Sequence, residues 1–195
     1  IESALGIALS HAAGSMQFLA DGAWTKRSHV GQAAQNGLTC ATMAAEGFKG
    51  PKEAIEGKWG FLHSLSPKAD LDNAAANLGE YWETMALGVK PYPSCRYTHA
   101  AMDAIRQLAG EHGITADNVD SATIGVPETG WKIVGNSDAE KQNPKSIVDG
   151  QFSMPFCAAV VLRTGNMVWD DYKTHLSDAD TLALAKRVST VVDPD

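Results

Sequence analysis

Lys90-Pro91-Tyr92-Pro93-Ser94-Cys95-Arg96-Tyr97-Thr98-His99, running on into Ala100-Ala101-Met102-Asp103, decides how the chain divides. Two closely spaced prolines cannot sit inside a helix, and they hold the backbone extended. Apolar residues at helical spacing begin at Tyr97, so the stretch predicts a stiff strap that runs into a helix N-terminus. Lys90, Cys95, Arg96 and His99 fall on the strap and the first helical turn. Cations and donors beside a helix N-terminus suit an anion. The plainer reading of the same residues is a proline-stiffened linker with ordinary surface charges.

Outward from the strap, the two sides differ in texture. Towards the N-terminus the chain is helical. Residues 1–20 predict a helix apolar nearly all round, with Gly6 and Gly14 kept for close packing. Asp21 to Gly31 reads as a loop carrying Lys26, Arg27 and His29. A second helix is expected over 32–46 with Gly47 as its C-cap, and a short one over 51–56. Residues 57–66 read as turns, 69–82 as a helix and 82–87 as a short strand. A joint is expected near Gly88.

Towards the C-terminus the pattern mixes helix and strand. A helix over 97–112 is capped by Gly113, and 119–126 alternates as a strand. Residues 127–144 read as an irregular excursion. A helix from Ser146 or Asp149 to Leu162 carries Pro155, which predicts a kink or a late start. Ser177 is expected to cap a helix with Asp180 at its third position, and 189–193 reads as a strand. The fold class expected is therefore α+β: a helical segment over 1–87, then an α+β domain with a small sheet over 88–195.

The composition excludes several classes. With 195 residues, 44% of them apolar and 20% charged, the chain is of ordinary globular type rather than disordered. A net charge of -7 argues against nucleic-acid binding. The apolar runs are too short to cross a membrane, and no charged segment followed by an apolar one reads as a signal peptide. Three widely spaced cysteines, Cys40, Cys95 and Cys157, fit free thiols in a reducing compartment, so a cytoplasmic location is expected. No CxxC, HExxH or paired-histidine spacing points to a metal, and no Walker or GxGxxG loop to a nucleotide. The chain opens at Ile1 inside a helical pattern and stops just past a strand pattern, which predicts a piece of a longer protein.

Donors and cations concentrate in four places: Thr25 to His29, Lys90 to His99, Lys141 to Lys145, and Gln151-Phe152-Ser153. In an acidic chain such clusters on stiffened loops predict a local anion pocket. A lysine beside a substrate carboxylate binds it and stabilises charge spreading onto it when a neighbouring C–H is deprotonated. A cysteine or histidine there can carry the proton. Cys95 is the best-placed thiol, because Lys90 and Arg96 beside it favour the thiolate. Cys40 and Cys157 read as buried small hydrophobes, His11 as a core histidine, and the Lys141–Lys145 run as a solvated loop. Trp24, Trp59 and Trp131 read as core or subunit packing.

Four stretches, GAWTKRSHVGQAAQNGL (22–38), GFKGPKEAIEGKWGF (47–61), KPYPSCRYTHAAMDA (90–104) and NPKSIVDGQFSMPFCAAVVLRTG (143–165), together resemble the MmgE/PrpD family. That family includes 2-methylcitrate dehydratase, cis-aconitate decarboxylase and iminodisuccinate epimerase. The resemblance implies a helical domain, an inserted α+β lid, an active site between them and a homodimer. On it, residues 1–87 are the later part of the helical domain and 88–195 most of the lid. The family's earlier helices and its return into the helical domain are expected to be missing, which predicts a fragment inactive alone.

By the same resemblance Lys26 stands at the family's active-site lysine, His29 is its loop companion, and Lys90 is the lid lysine. Cys95 occupies a position where the decarboxylase branch has histidine. Ser153 and Phe156 fall where that branch has a serine and a pocket tyrosine. The expected catalytic set is Lys26, Lys90 and Cys95, and the expected substrate-binding set Arg27, His29, Ser94, Arg96, His99 and Ser153, with no metal and no cofactor. The implied activity is a lyase, dehydratase-like, on a small di- or tricarboxylate such as 2-methylcitrate. An epimerase on a dicarboxylate and a non-catalytic homologue are the alternatives.

Overall fold

The structure, a computed structural model, describes residues 1–74, 76–136 and 138–193. Ala75, Ser137, Pro194 and Asp195 lie outside them, and so do the points of the expected 69–82 helix, 127–144 excursion and C-terminal domain that fall on these residues. The chain divides into two compact units, Ile1–Gly88 and Val89–Asp195.

In the first unit, α1 (Glu2–Leu9) packs on α2 (Thr25–Ala45), followed by the short α3 (Phe61–Leu65) and α4 (Leu71–Ala74). The expected helix over 1–20 stops at Leu9. Beyond it Gly14 takes φ +133, outside helical space, and Ser15 accepts a hydrogen bond from the Gln17 amide ahead of a 3₁₀ turn. His11 is exposed there rather than in a core.

The loop expected over 21–31 is largely helix, because α2 begins at Thr25 and runs through Gly31. A glycine inside a helix costs only about 1 kcal/mol and does not end one. At the other end Gly47 does cap α2. It adopts φ +89, its N–H donates to the Ala44 carbonyl and the Phe48 N–H donates to the Met43 carbonyl, which satisfies the last turn.

Gly6 serves close approach, against the backbone of Gly50 and Pro51 rather than a helix. A Cβ there would lie 2.3 Å from the Pro51 carbonyl oxygen, and one on Gly50 2.3 Å from that of Ser3. The expected 51–56 helix is a run of turns, 61–65 is helical, and the strand expected at 82–87 is a 3₁₀ turn over Glu83–Ala86. Trp24 and Trp59 stand 72% and 80% exposed, outside any core.

The second unit is built around one buried helix. Its elements are α5 (His99–His112), β1 (Ala122–Val126), α6 (Glu128–Val134), α7 (Asp138–Lys141), α8 (Ile147–Gln151), α9 (Met154–Thr164), α10 (Asp171–His175), α11 (Ala179–Ala185) and β2 (Val188–Val192). Every residue of α9 from Met154 to Val161 is buried, and α5, α11 and β2 pack on it. Tyr92, Met102, Phe156, Cys157, Val160, Met167 and Tyr172 close the main apolar cluster.

Pro155 marks a restart. α8 ends at Gln151, the Ser153 hydroxyl accepts the Phe156 amide as the N-cap, and proline sits in the tolerated first turn of α9. β1 and β2 pair in parallel from Ala122↔Val188 to Val126↔Val192, and the Trp131 indole N–H donates to the Thr190 carbonyl at 3.1 Å. The α+β class read from the sequence is what the chain adopts. The excursion expected over 127–144 instead holds α6 and α7, the former carrying a Glu128–Lys132 pair at 2.6 Å.

The cap of α11 is Asp178, not Ser177. Its carboxylate accepts the Thr181 amide at 2.8 Å and the Thr181 hydroxyl at 2.6 Å, and pairs with Arg163. The Thr181 donors, with Arg163 behind them, hold the Asp178 carboxyl below its ordinary value. A carboxylate lowered on folding adds stability above its unfolded pKa, and that stability is lost as pH falls through the folded value. Asp178→Ala is expected to cost about 1 kcal/mol at neutral pH. It should also flatten the acid limb of a plot of unfolding midpoint against pH.

Candidate functional site

The strap has no backbone ladder over its prolines. Pro91 and Pro93 have no N–H, so the shape there is set through carbonyls and side chains, with the Cys95 amide as a further anchor. Tyr92 turns inward, 2% exposed; its hydroxyl donates to Asp103 at 2.5 Å and accepts from Arg106 at 3.0 Å. Both partners lie on α5, so the strap is tied to the helix it leads into.

The Pro93 carbonyl accepts the Gln151 side-chain amide at 3.1 Å and the Tyr172 hydroxyl at 2.9 Å. The Ser94 carbonyl accepts Lys90 Nζ and His99 Nε2–H, each at 3.3 Å. The Cys95 amide donates to the Gln151 carbonyl at 2.8 Å, and the Cys95 carbonyl accepts the Thr98 hydroxyl at 2.8 Å. That spends the Thr98 proton, so the Ser94 hydroxyl is the donor in the 2.8 Å contact between the two hydroxyls.

This geometry sorts the residues singled out on the strap. Lys90 and Arg96 are exposed, whereas Cys95 is half-buried and packs against the cluster of Val126, Val134 and Met154. Ser94 and His99 are buried, and their polar atoms serve the strap's own frame. A carbonyl only accepts, so His99 carries its proton on Nε2, and Nδ1 has no hydrogen-bond partner among the described residues. Burial holds the His99 imidazole below its ordinary pKa, with Arg96 and Lys90 pushing the same way against the Ser94 carbonyl. At neutral pH it is an uncharged ring, edge-on to Tyr92 at 5.4 Å.

Ser153, expected as a substrate donor, is wholly buried; its hydroxyl caps α9 and donates to the Lys141 carbonyl. Lys141 is not on a solvated loop. It ends α7, half-buried, and donates to the Ile133 carbonyl at 2.9 Å. Burial lowers its ammonium pKa, opposed by Asp149, Glu140 and Cys95. Cys157 is a buried core thiol as expected, with burial pushing its pKa up to about 12. Tyr172, on α10, carried no signal in the sequence; its contact with Pro93 spans 79 residues.

In the first unit, Lys26, Arg27 and His29 lie on the opening turns of α2. Lys26 Nζ is 5.9 Å from the centre of the Phe18 ring, and the His29 ring meets the same phenyl edge-on at 6.2 Å. Arg27 lies over Trp24 at 5.6 Å. Trp24, at the N-cap, supplies no capping side chain, and the first turn holds no acidic residue. A helix start is electropositive, and Lys26 and Arg27 add to that field instead of balancing it. Among the described residues no group of three or more His, Cys, Asp or Glu could hold a metal ion. None of their helices is long and apolar enough to cross a membrane.

Residues 1–74 match the MmgE/PrpD N-terminal domain and residues 92–195 the MmgE/PrpD C-terminal domain. The chain belongs to the MmgE/PrpD family. The resemblance carried by the four motifs is therefore borne out. Similar curated proteins are a cis-aconitate decarboxylase of Aspergillus terreus, 27% identical over 203 residues, and a cis-aconitate decarboxylase-like protein, oryM, of Aspergillus oryzae, 26% identical over 198. These matches take in 97% and 93% of this chain but only 41% and 39% of the relatives, so the chain spans about two fifths of their length.

Proposed function

We propose that the intact protein is a lyase that removes a proton alpha to a carboxylate of a small di- or tricarboxylate such as 2-methylcitrate, without a cofactor. The observation that carries this reading is the acid-free start of α2 without a side-chain cap, loaded with Lys26 and Arg27. An anion belongs at such a helix end. The strap carries Lys90 and Arg96 close to Cys95 in the sequence.

On this reading Lys26 and Lys90 bind carboxylate groups, with Arg27, His29 and Arg96 as further contacts. Cys95 carries the proton. The C–H pair moves onto the adjacent carboxylate as it becomes an enediolate, and the lysines hold that charge. Collapse of the pair expels the β-hydroxyl, which leaves as water with the proton that Cys95 took from the alpha carbon. Ser94, His99 and Ser153 support the site through the backbone. We further assign 1–87 to the helical domain and 88–195 to the lid of a cytoplasmic homodimer.

The relatives' names raise decarboxylation of cis-aconitate as a second reaction. Against it, Phe156 offers no hydroxyl and is fully buried in the core against Tyr172. An epimerase shares the first step and differs in returning the proton to the opposite face.

Incubation of the intact protein in deuterium oxide with 2-methylcitrate, citrate, cis-aconitate and an aspartate-derived imine, followed by proton NMR, separates these readings. Loss of water from one tricarboxylate is the expected result. Loss of carbon dioxide from cis-aconitate would replace the dehydratase by the decarboxylase. Deuterium uptake alone would establish the epimerase. No change with any compound, joined to no binding of any of them, would sink the enzymatic reading in favour of a non-catalytic homologue.

A further inference from the structure

The strap between Lys90 and Cys95 is set by a residue that touches neither. Of its inner positions, Pro91 and Pro93 lack an N–H, so no hydrogen-bonded ladder can hold it. Pro93 lies in the chain between Lys90 and Cys95, and its carbonyl is held by two side chains. It is gripped from one side by the Gln151 amide at 3.1 Å and from the other by the Tyr172 hydroxyl at 2.9 Å. Gln151 also takes the Cys95 amide on its own carbonyl at 2.8 Å.

Tyr172 is fully buried, stacked on Phe156 with ring centres 6.1 Å apart and planes 20° apart. It has little freedom to follow the strap if the strap moves. Burial raises its phenol pKa, so the hydroxyl stays protonated and remains a donor across the working pH range. A buried hydroxyl deprived of its acceptor costs about 1–3 kcal/mol, so the pair favours one strap position over others.

We propose that Tyr172 is a positioning residue: through the Pro93 carbonyl, and together with Gln151, its hydroxyl sets where Lys90 and Cys95 stand. This rests on the role given above to those two side chains. It adds that their placement depends on a residue from α10, outside every motif that marks the family in this chain.

The test is Tyr172→Phe in the intact protein, which keeps the ring and its stacking and removes only the donor. Turnover of the substrate found in the deuterium oxide experiment is measured as kcat and KM separately. Hydrogen exchange at the Cys95 amide and at α9 amides is measured alongside, with Lys90→Ala as a companion. The expected result is a fall in kcat of about tenfold, the size of displacing a catalytic group slightly. KM should stay within about twofold by the same argument, and exchange should quicken at Cys95 but not in α9.

Unchanged kcat and unchanged Cys95 exchange would overturn the proposal. So would faster exchange throughout the unit with kcat per folded molecule intact, since that is a structural role alone. If Lys90→Ala keeps full activity, the functional reading of the strap fails instead. If the wild-type protein turns over nothing, that reading also fails, and the exchange comparison still decides whether Tyr172 holds the strap.

Discussion

Alanine at Lys90 is expected to lower kcat by about 10²–10³-fold, the usual effect of removing one donor from a developing negative charge. Lys26→Ala should do the same. Both side chains are exposed, and exposed substitutions shift stability by about 0.5 kcal/mol or less. The thermal midpoint of each variant should therefore stay near that of the wild type. Lys90 also donates to the Ser94 carbonyl at 3.3 Å, but His99 donates to the same oxygen, so the strap keeps a partner there. Steady-state kinetics with circular dichroism on the same samples makes the check. Activity surviving both substitutions would mean that neither lysine holds the carboxylate whose charge grows in the reaction.

The largest effect on stability should come from Phe156→Ala. The ring is fully buried inside the main cluster of the second unit and stacks on Tyr172. Truncating a buried phenylalanine costs about 3–5 kcal/mol through lost transfer energy and a residual cavity. The whole stability of a domain is about 5–15 kcal/mol, so this one change removes a large share of it. Urea unfolding of the intact protein should show the second unit's midpoint falling sharply. A loss below about 1 kcal/mol would show that α9 and α10 close over the gap, far from the usual behaviour of such sites.

What could be seen in the sequence follows from where the deciding forces act. Gly113 and Gly165 end α5 and α9 in the left-handed conformation, and Pro155 begins a helix instead of bending one. Each is settled by local sterics: Gly113 was legible as a cap, while Pro155 was legible as a kink or a late start and the break between α8 and α9 was not. The start of α2 was not, because Gly31 looks like a boundary and the helix simply bears its cost. The α6 helix had a legible sign that went unread, Glu128 and Lys132 at helical spacing after Pro127.

The site divides the same way. Its cations stood out as clusters in an acidic chain. Their surroundings depend on tertiary contacts, so the inward turn of Ser94 and His99, the capping duty of Ser153 and the half-buried state of Lys141 had no trace in spacing. Tyr172 was invisible for that reason, since nothing near it in the sequence announces a partner 79 residues away.

The parallel pairing of β1 with β2 carries a kinetic consequence. Some 60 residues, with six helices among those described, separate Val126 from Val188. Closing such a loop costs about 4 kcal/mol of chain entropy before the first ladder bond forms. Two strands alone do not repay that, so the helices are expected to gather on α9 before the strands meet. Strand pairing is therefore expected late in the folding of this unit, and hydrogen-exchange labelling during refolding should protect α9 amides before those of β1 and β2. Any lesion that slows the assembly of α9 leaves two unpaired strands waiting in solution, the form in which chains of this kind adhere to one another.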